Sequence, residues 1–282
     1  MRRHHARASE ALFRSQPAVS RRLALLEKEL GMPLFERTPG ALVLSEAGRV
    51  LLPYAETVLA ALRDAEAAVD GLRSAVGPLA VALVGTLASS RLTAVLRRFA
   101  ERHPKIDVRL QTATSDEVSE LVRRADVTMG LRYGPDLAPE LHCEEIFAER
   151  QVIVAAPDHR LADTRKIAIA IGALGSERWI AFPDNPARPE AANRNVRRAF
   201  DAAGVSEAQI LRIDSLTAQK RLIEAGFGIA LIPDSSVQEE LAAGSLVVLD
   251  MADLDITAPV TVVTRANGYL SGAARTLLAE LR

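Results

Sequence analysis

The segment from Ser15 to Gly31 most constrains the fold of this chain, because it carries helix signals at both ends. Ser15 can cap the first turn by accepting backbone N–H hydrogen bonds, and Pro17 falls where its missing N–H costs little. Gly31 suits a left-handed cap, and Pro33 lies just beyond it. The apolar residues share one stripe: Val19, Leu23, Leu26 and Leu30. The segment is therefore predicted to be one short amphipathic helix.

The outward face of this helix carries polar groups close to its N-terminus. At about 100° per residue, a face separate from the apolar stripe holds Gln16, Ser20, Arg21, Ala24 and Lys28. An amide, a hydroxyl and a guanidinium so placed can bind base edges and phosphates when a helix enters the major groove. The alternative is an ordinary amphipathic helix with a solvated charged face.

The residues after the helix favour the DNA-binding interpretation. Residues 32–37 read as a short strand, residues 38–41 as a tight turn, and residues 42–44 as a return strand. A helix followed by such a hairpin is a winged helix-turn-helix. Arg37 and the turn residues are then expected near the phosphate backbone.

The stretch SQPAVSRRLALLEKELGMPLFERTPGALVLSEAG, residues 15–48, resembles the signature of the LysR-type transcriptional regulators. In that family S-Q-P-A-V-S is followed by L-E-x-x-L-G-x-x-L-F-x-R. The resemblance implies a winged helix-turn-helix head over residues 1–45, and we expect this head to be all-α. It also implies that the DNA contacts come from Ser15, Gln16, Pro17, Ser20, Arg21 and Arg37.

One departure from the family concerns the N-terminus. Family members carry a further helix before this point, ending in a segment like G-S-F-T-x-A-A, whereas this chain starts at Met1 and offers only one helix, about residues 6–13. We therefore expect the head to be N-terminally incomplete. Two hypotheses stay open: a ligand-responsive regulator, or an effector-binding protein that has lost DNA binding.

Residues 46–77 follow as a long helical pattern. The apolar positions recur at three- and four-residue spacing and include Ala55, Leu59, Leu62 and Val69. A helix of this length spans about 45 Å, which overshoots a small domain, so a partner helix is expected. The resemblance implies that this linker helix dimerises. Pro53 is expected to kink it.

From Leu79 the pattern changes to alternating strands and helices, which predicts a parallel sheet with covering helices. Similarity to the family implies that residues 78–282 form an α/β effector domain of periplasmic-binding-protein type. Its two subdomains are predicted as residues 78–152 with 258–282, and residues 153–257.

Ligands of open α/β sheets bind at the carboxyl ends of strands, where helix N-termini favour anions. The effector-site candidates chosen by this rule are Thr86, Ala88, Ser89, Arg132, Tyr133 and Thr217. The guanidinium group of Arg132 can donate two parallel hydrogen bonds to a carboxylate, so a carboxylate metabolite is expected. The alternative is a structural ion pair of Arg132 with Asp126 or Asp136.

Charge and composition fit a regulator better than an enzyme. Residues 1–50 hold nine Arg or Lys residues against five Glu, although the whole chain has a net charge of −1. The single cysteine, Cys143, excludes an internal disulfide, and no catalytic motif, metal-ligand cluster or membrane span is evident. We expect a cytoplasmic protein that is not an enzyme and has no metal or cofactor. Its expected partners are double-stranded DNA, a small-molecule effector, RNA polymerase, and further copies of itself in a homodimer or homotetramer.

Overall fold

The computed structural model describes residues 15–38, 41–73, 79–88, 90–162, 168–183, 191–252 and 255–282. The predicted helix over residues 6–13, two residues of the hairpin turn and the site candidate Ser89 lie outside these ranges. The chain divides into two compact units, residues 1–62 and 63–282.

The first unit contains the predicted short helix, α1 (Gln16–Leu30). Gly31 ends it in the left-handed conformation, with φ of 72°, as expected. Ser15 occupies the N-cap position with extended backbone, but its side chain makes no capping hydrogen bond, which corrects that part of the prediction. The apolar stripe is only partly covered, because Val19 and Leu23 are half-buried whereas Leu26 and Leu30 are exposed.

An antiparallel hairpin follows, formed by β1 (Phe35–Thr38) and β2 (Ala41–Leu44). The first strand starts three residues later than predicted, and the Glu27 carboxylate accepts the backbone N–H groups of Leu34 and Phe35. The hairpin means that this head is not all-α. The long helix α2 (Glu46–Arg73) comes next and contains Pro53. The kink expected at Pro53 stays a prediction.

The second unit is built on one sheet with the strand order β10-β6-β11-β5-β3-β4, and β9 pairs with β6. The strands of this sheet are β3 (Leu79–Val84), β4 (Val108–Ala113), β5 (Met129–Tyr133), β6 (Leu141–Ala155), β9 (Ala230–Pro233), β10 (Val247–Val248) and β11 (Thr257–Arg265). A separate parallel pair is formed by β7 (Trp179–Ala181) and β8 (Ile210–Arg212). The helices are α3 (Ser90–Arg102), α4 (Ser115–Arg123), α5 (Ala191–Ala203), α6 (Leu216–Glu224), α7 (Gln238–Ala243) and α8 (Gly272–Leu281).

The sheet is mixed rather than parallel throughout. Strand β3 runs parallel to β4 and β5, whereas β11 is antiparallel to both β5 and β6. The fifteen-residue strand β6 joins two halves, since residues 141–150 pair with β11 and residues 151–154 pair with β9. The boundary predicted between the two subdomains, at residues 152–153, therefore lies within a continuous strand.

Hydrophobic packing follows the same division. One core packs β3, β5 and β11 against α3 and α8, with Phe99, Met129 and Leu277 fully buried. A second core surrounds Trp179, which packs edge-on against Phe200 at a ring-centroid distance of 5.0 Å. Each half of β6 thus carries its own buried layer.

Gly130 sets how closely α4 approaches β5. A Cβ atom at Gly130 would lie 2.3 Å from Val118 Cγ1 on α4 and 2.9 Å from Val263 Cγ1 on β11. Because these neighbours belong to a packed interior, they cannot give way without moving the helix.

We therefore predict that Gly130→Ala lowers the free energy of unfolding by about 1–3 kcal/mol, the cost of overpacking a core. Urea denaturation followed by circular dichroism measures the effect. Gly172→Ala is the matched control, since a Cβ atom there meets nothing within 4 Å. Equal midpoints for the two variants would contradict this account of the packing.

Candidate functional site

The predicted DNA-reading surface lies at the N-terminal end of α1. Ser15, Pro17 and Arg21 are exposed, and Ser20 is half-buried. The side chains of Gln16 and Arg37 are outside what the structure describes. A helix N-terminus with an exposed guanidinium offers positive potential and hydrogen-bond donors, the properties that phosphate and base-edge contacts require.

The predicted dimerisation row on α2 is largely uncovered. Leu59, Leu62 and Val69 expose 53–56% of their surface, and Ala55 is half-buried. The same helix also exposes Val58 at 69%. A single copy of the chain thus leaves an apolar stripe in water, which is unfavourable in proportion to its area.

A cavity of about 610 Å³ lies in the second unit, at the carboxyl end of β3. One side is formed by the turn after β3 and by α3, and the other by the start of α6 and by residues 235–239. Among the predicted site residues, Thr86 and Ala88 line this cavity, and Tyr133 contacts Thr86. Thr217 is exposed on the first turn of α6, next to Leu216, which does line the cavity.

A chain of hydrogen bonds links two lining residues of this cavity, Thr86 and Ser235, through Tyr133 and Glu149. The Thr86 hydroxyl donates to the Tyr133 oxygen at 3.1 Å, and the Tyr133 hydroxyl donates to Glu149 Oε2 at 2.7 Å. The Ser235 hydroxyl donates to Glu149 Oε1 at 2.7 Å. Burial, reinforced by the charge of Glu149, raises the pKa of Tyr133 well above its usual value. Tyr133 is therefore a neutral donor at all physiological pH values.

Sequence reasoning missed Glu149 and Ser235. The available signal was a carboxylate placed three residues before the apolar run at residues 152–156. A charge at the start of a buried strand needs partners, but nothing in the sequence identifies hydroxyls more than eighty residues away.

Cationic side chains form the outer part of the cavity. Arg97, Arg98 and Lys220 line it, together with one carboxylate, that of Glu239. Lys220 is paired with Glu240 at 2.7 Å and donates to Ser236 O at 3.1 Å, and Arg97 pairs with Glu101 at 3.2 Å on the exposed face of α3. Arg98 is exposed and has no ion-pair partner among the described residues. The cavity can therefore attract an anion at its outer side.

Arg132 is not among the residues that line the cavity. It follows the alternation of β5, so its side chain lies on the face opposite to that of Tyr133, under α4. There it donates to Ser119 Oγ at 2.5 Å and to Asp136 Oδ2 at 3.1 Å, with only 4% of its surface exposed. The expectation that Arg132 holds the effector is not supported, and its alternative, an ion pair with Asp136, is what the structure shows.

The acid of this pair is adapted to stay ionised. Burial raises the pKa of Asp136, but the Ala138 N–H group, the Ser119 hydroxyl and the Arg132 and Arg123 charges together hold it below its usual value. The other acid considered, Asp126, pairs instead with Arg63 at 3.0 Å. Among the described residues, no group of His, Cys, Asp and Glu could hold a metal ion, and no described helix is long and apolar enough to cross a membrane.

Comparisons with known proteins cover nearly the whole chain. Residues 2–49 match the model of the bacterial regulatory helix-turn-helix protein, lysR family, and residues 73–282 match the LysR substrate binding domain. A RuBisCO operon transcriptional regulator of Allochromatium vinosum is 29% identical over 273 residues, covering 96% of this chain and 87% of that protein. The transcriptional regulator CbbR of Rhodospirillum rubrum is 28% identical over 277 residues, covering 98% and 89%.

Solved structures share the fold. A full-length OxyR from Pseudomonas aeruginosa superposes with a TM-score of 0.70 at 19% identity, covering 99% of this chain and 92% of that one. The regulatory domain of Synechocystis CcmR, in complex with 2-PG, gives a TM-score of 0.62 at 23% identity, covering 73% and 95%. The two family models together span both units, and they describe regulators rather than enzymes. This chain belongs to the LysR family of DNA-binding transcriptional regulators, with a helix-turn-helix head and an effector-binding domain.

Proposed function

We propose that the regulator reads DNA with the N-terminal end of α1 and responds to a small anion bound in the cavity beside Thr86. The observation that carries the proposal is this cavity, with Arg97, Arg98 and Lys220 in its lining, in a chain that also contains the helix-turn-helix head. That head favours the regulator over an effector-binding protein that has lost DNA binding.

The DNA contacts are assigned to α1 and to the hairpin after it. Ser15, Gln16, Pro17, Ser20 and Arg21 share the exposed N-terminal end of α1 or its first turns, and Arg37 lies on β1 of the hairpin. The helix N-terminus supplies backbone donors for a phosphate, while the amide, hydroxyl and guanidinium supply base-edge contacts.

We predict that Arg21→Ala weakens binding to DNA by about 1–3 kcal/mol, the value of one good bidentate contact. The DNA is a sequence selected from random fragments by the parent chain, and binding is measured by gel shift. Lys28→Ala is the control, because this exposed cation lies in the last turn of the same helix. A triple variant combines Gln16→Ala, Ser20→Ala and Arg21→Ala. If it binds this DNA as tightly as the parent chain, α1 does not contact the bases.

Two copies of α2 are proposed to pack through the exposed row of Ala55, Leu59, Leu62 and Val69. The helix is long enough for a coiled-coil pairing, and its uncovered side chains are aliphatic. A homodimer, or a homotetramer built from two such dimers, would present two or more reading helices to successive half-sites of DNA.

The double variant Leu59→Asp/Leu62→Asp should therefore be monomeric, since unpaired carboxylates in a helix seam are strongly unfavourable. Sedimentation velocity measures the state. The matched control is Thr57→Asp/Ala61→Asp, which adds the same charges at exposed positions away from the row. A double variant as dimeric as its control would show that α2 is not the interface.

The effector is proposed to be a small phosphate- or carboxylate-bearing metabolite. The cationic lining supports an anion, and the solved CcmR domain is described in complex with 2-PG. Several relatives are named as RuBisCO regulators, which makes genes of carbon fixation the first targets to test. Action in the cytoplasm through RNA polymerase belongs to the same proposal.

Arg98→Gln should lower the affinity for such an anion by about 1.5–3 kcal/mol, the value of a hydrogen bond to a charged group. Calorimetry with phosphorylated and dicarboxylate ligands measures it. Arg102→Gln, one turn further along α3 and outside the cavity lining, is the control. Equal affinities for parent and Arg98→Gln would place the anion elsewhere.

A further inference from the structure

Glu149 stands where strand β6 passes from one half of the effector-binding domain to the other. It pairs in register with Ala258 of β11, and two residues later the same strand begins to pair with β9. Its side chain is buried, with 7% of the residue exposed, and its two oxygens accept donors from both halves. Tyr133 of β5 bonds Oε2, and Ser235, which follows β9, bonds Oε1.

The protons of this network have only one arrangement. A carboxylate can only accept, so the single protons of Tyr133 and Ser235 both point at Glu149. The Tyr133 oxygen then accepts from Thr86, which commits the proton of Thr86 as well. The neighbouring Ser236 hydroxyl donates to Pro233 O at 2.7 Å. We call Thr86, Ser235 and Ser236 the hydroxyl wall, since all three line the cavity.

The hydroxyl wall therefore presents lone pairs to the cavity and no protons. Gln238, beside it, has the same polarity, because its amide N–H₂ group donates to the backbone and side chain of Asp234 at 2.9 Å. Turning Ser235 towards an acceptor on a ligand would leave one oxygen of a buried carboxylate without its donor, which is costly. The buried charge of Glu149, which is bonded directly to Ser235, also repels an anion at that hydroxyl.

We infer that the hydroxyl wall, which is buried or half-buried, selects the N–H or O–H groups of the effector, while its anionic group lies at the exposed part of the cavity near Arg98. The effector class is thus an anion that also carries a hydroxyl or an ammonium group. This inference rests on the proposed function, since it assumes that the cavity holds an anion. It differs from the expectation from sequence, in which Arg132 held a carboxylate. Glu149 is a positioning residue that acts through Tyr133 and Ser235.

Two matched series of ligands test this assignment on the full chain by calorimetry. Succinate, malate and aspartate differ only in carrying hydrogen, hydroxyl or ammonium at one carbon. The compounds 3-phosphooxypropionate, 3-phosphoglycerate and O-phosphoserine repeat the series with a phosphate. In at least one series the hydroxyl or ammonium member is expected to bind at least about tenfold more tightly than the member without a donor, a difference of about 1.4 kcal/mol. Comparison of the last two members tells hydroxyl from ammonium.

Variants connect this preference to Glu149. In Glu149→Gln the amide accepts from one hydroxyl and donates to the other, which frees one wall proton and removes the charge, so the preference should fall below about threefold. Ser235→Ala removes one accepting oxygen but keeps the charge, and should also reduce the preference. Glu145→Gln, an exposed residue on the same strand, should keep the preference of the parent.

The outcomes distinguish a failure of the hydroxyl wall from a failure of the anion site. The parent protein could bind anions of both series without preferring the members that carry a hydroxyl or ammonium group. That result would contradict the polarity of the hydroxyl wall, but it would still support the anion site. A preference that is unchanged in both Glu149→Gln and Ser235→Ala contradicts the role of Glu149. If no member of either series binds, the anion assignment fails and this inference fails with it. Thermal midpoints of all variants show whether Glu149→Gln folds, and Ser235→Ala gives the answer if it does not.

Discussion

The buried carboxylate of Glu149 is the interaction on which the geometry of the cavity depends. A charge removed from water must be compensated, and here the compensation comes from hydroxyls on both sides of a strand crossing. Because Oε1 and Oε2 take their donors from different halves of the domain, a change in the angle between those halves alters the network directly. A ligand that contacts Thr86 or Ser235 therefore acts on the same bonds that hold the two halves together.

The alternation of side chains along β5 places the buried ion pair and the residue next to the cavity on opposite faces of the sheet. Neighbouring residues Arg132 and Tyr133 lie on opposite faces of the sheet, as the period of two requires. Arg132 lies under α4, where its Nη1 donates to Ser119 and Asp136 and its buried Nε has no partner among the described residues, whereas Tyr133 faces the turn that carries Thr86. Gly130, on the same strand, lets α4 pack closely enough for these contacts. The cations available to a ligand consequently come from helices, α3 and α6, and not from a strand end.

Local signals were sufficient for much of the fold. The capping glycine, the proline in the first turn and the apolar spacing of α1 predicted that helix within a residue of its observed ends, and the turn residues predicted the hairpin. The strand polarity of the second unit could not be predicted in the same way. Whether β11 runs parallel or antiparallel to β5 depends on contacts between residues 260–263 and 130–133, far apart in sequence. Local propensity carries no information on such pairings.

The site was predicted less completely for the same reason. The strand-end rule selected Thr86 and Ala88, which line the cavity, and Tyr133, which bonds Thr86, because these residues follow or end buried strands. It also selected Arg132, since the rule does not specify which face of the strand a residue occupies. Arg97, Arg98 and Lys220 lie within helices and Glu149 within a strand, so their approach to one cavity is a product of tertiary packing alone.

The central claim is that anion binding in the cavity and DNA binding by the head are coupled in one regulator. Coupling is reciprocal, so DNA must change the affinity for the anion by the factor by which the anion changes the affinity for DNA. The direct measurement is the affinity of the full chain for its tightest anion of the two matched series, with and without saturating selected DNA. The account predicts that DNA changes the affinity for the anion. When DNA is titrated with and without the anion, the affinity for DNA should change by the same factor. Identical anion affinities in the presence and absence of DNA would contradict it.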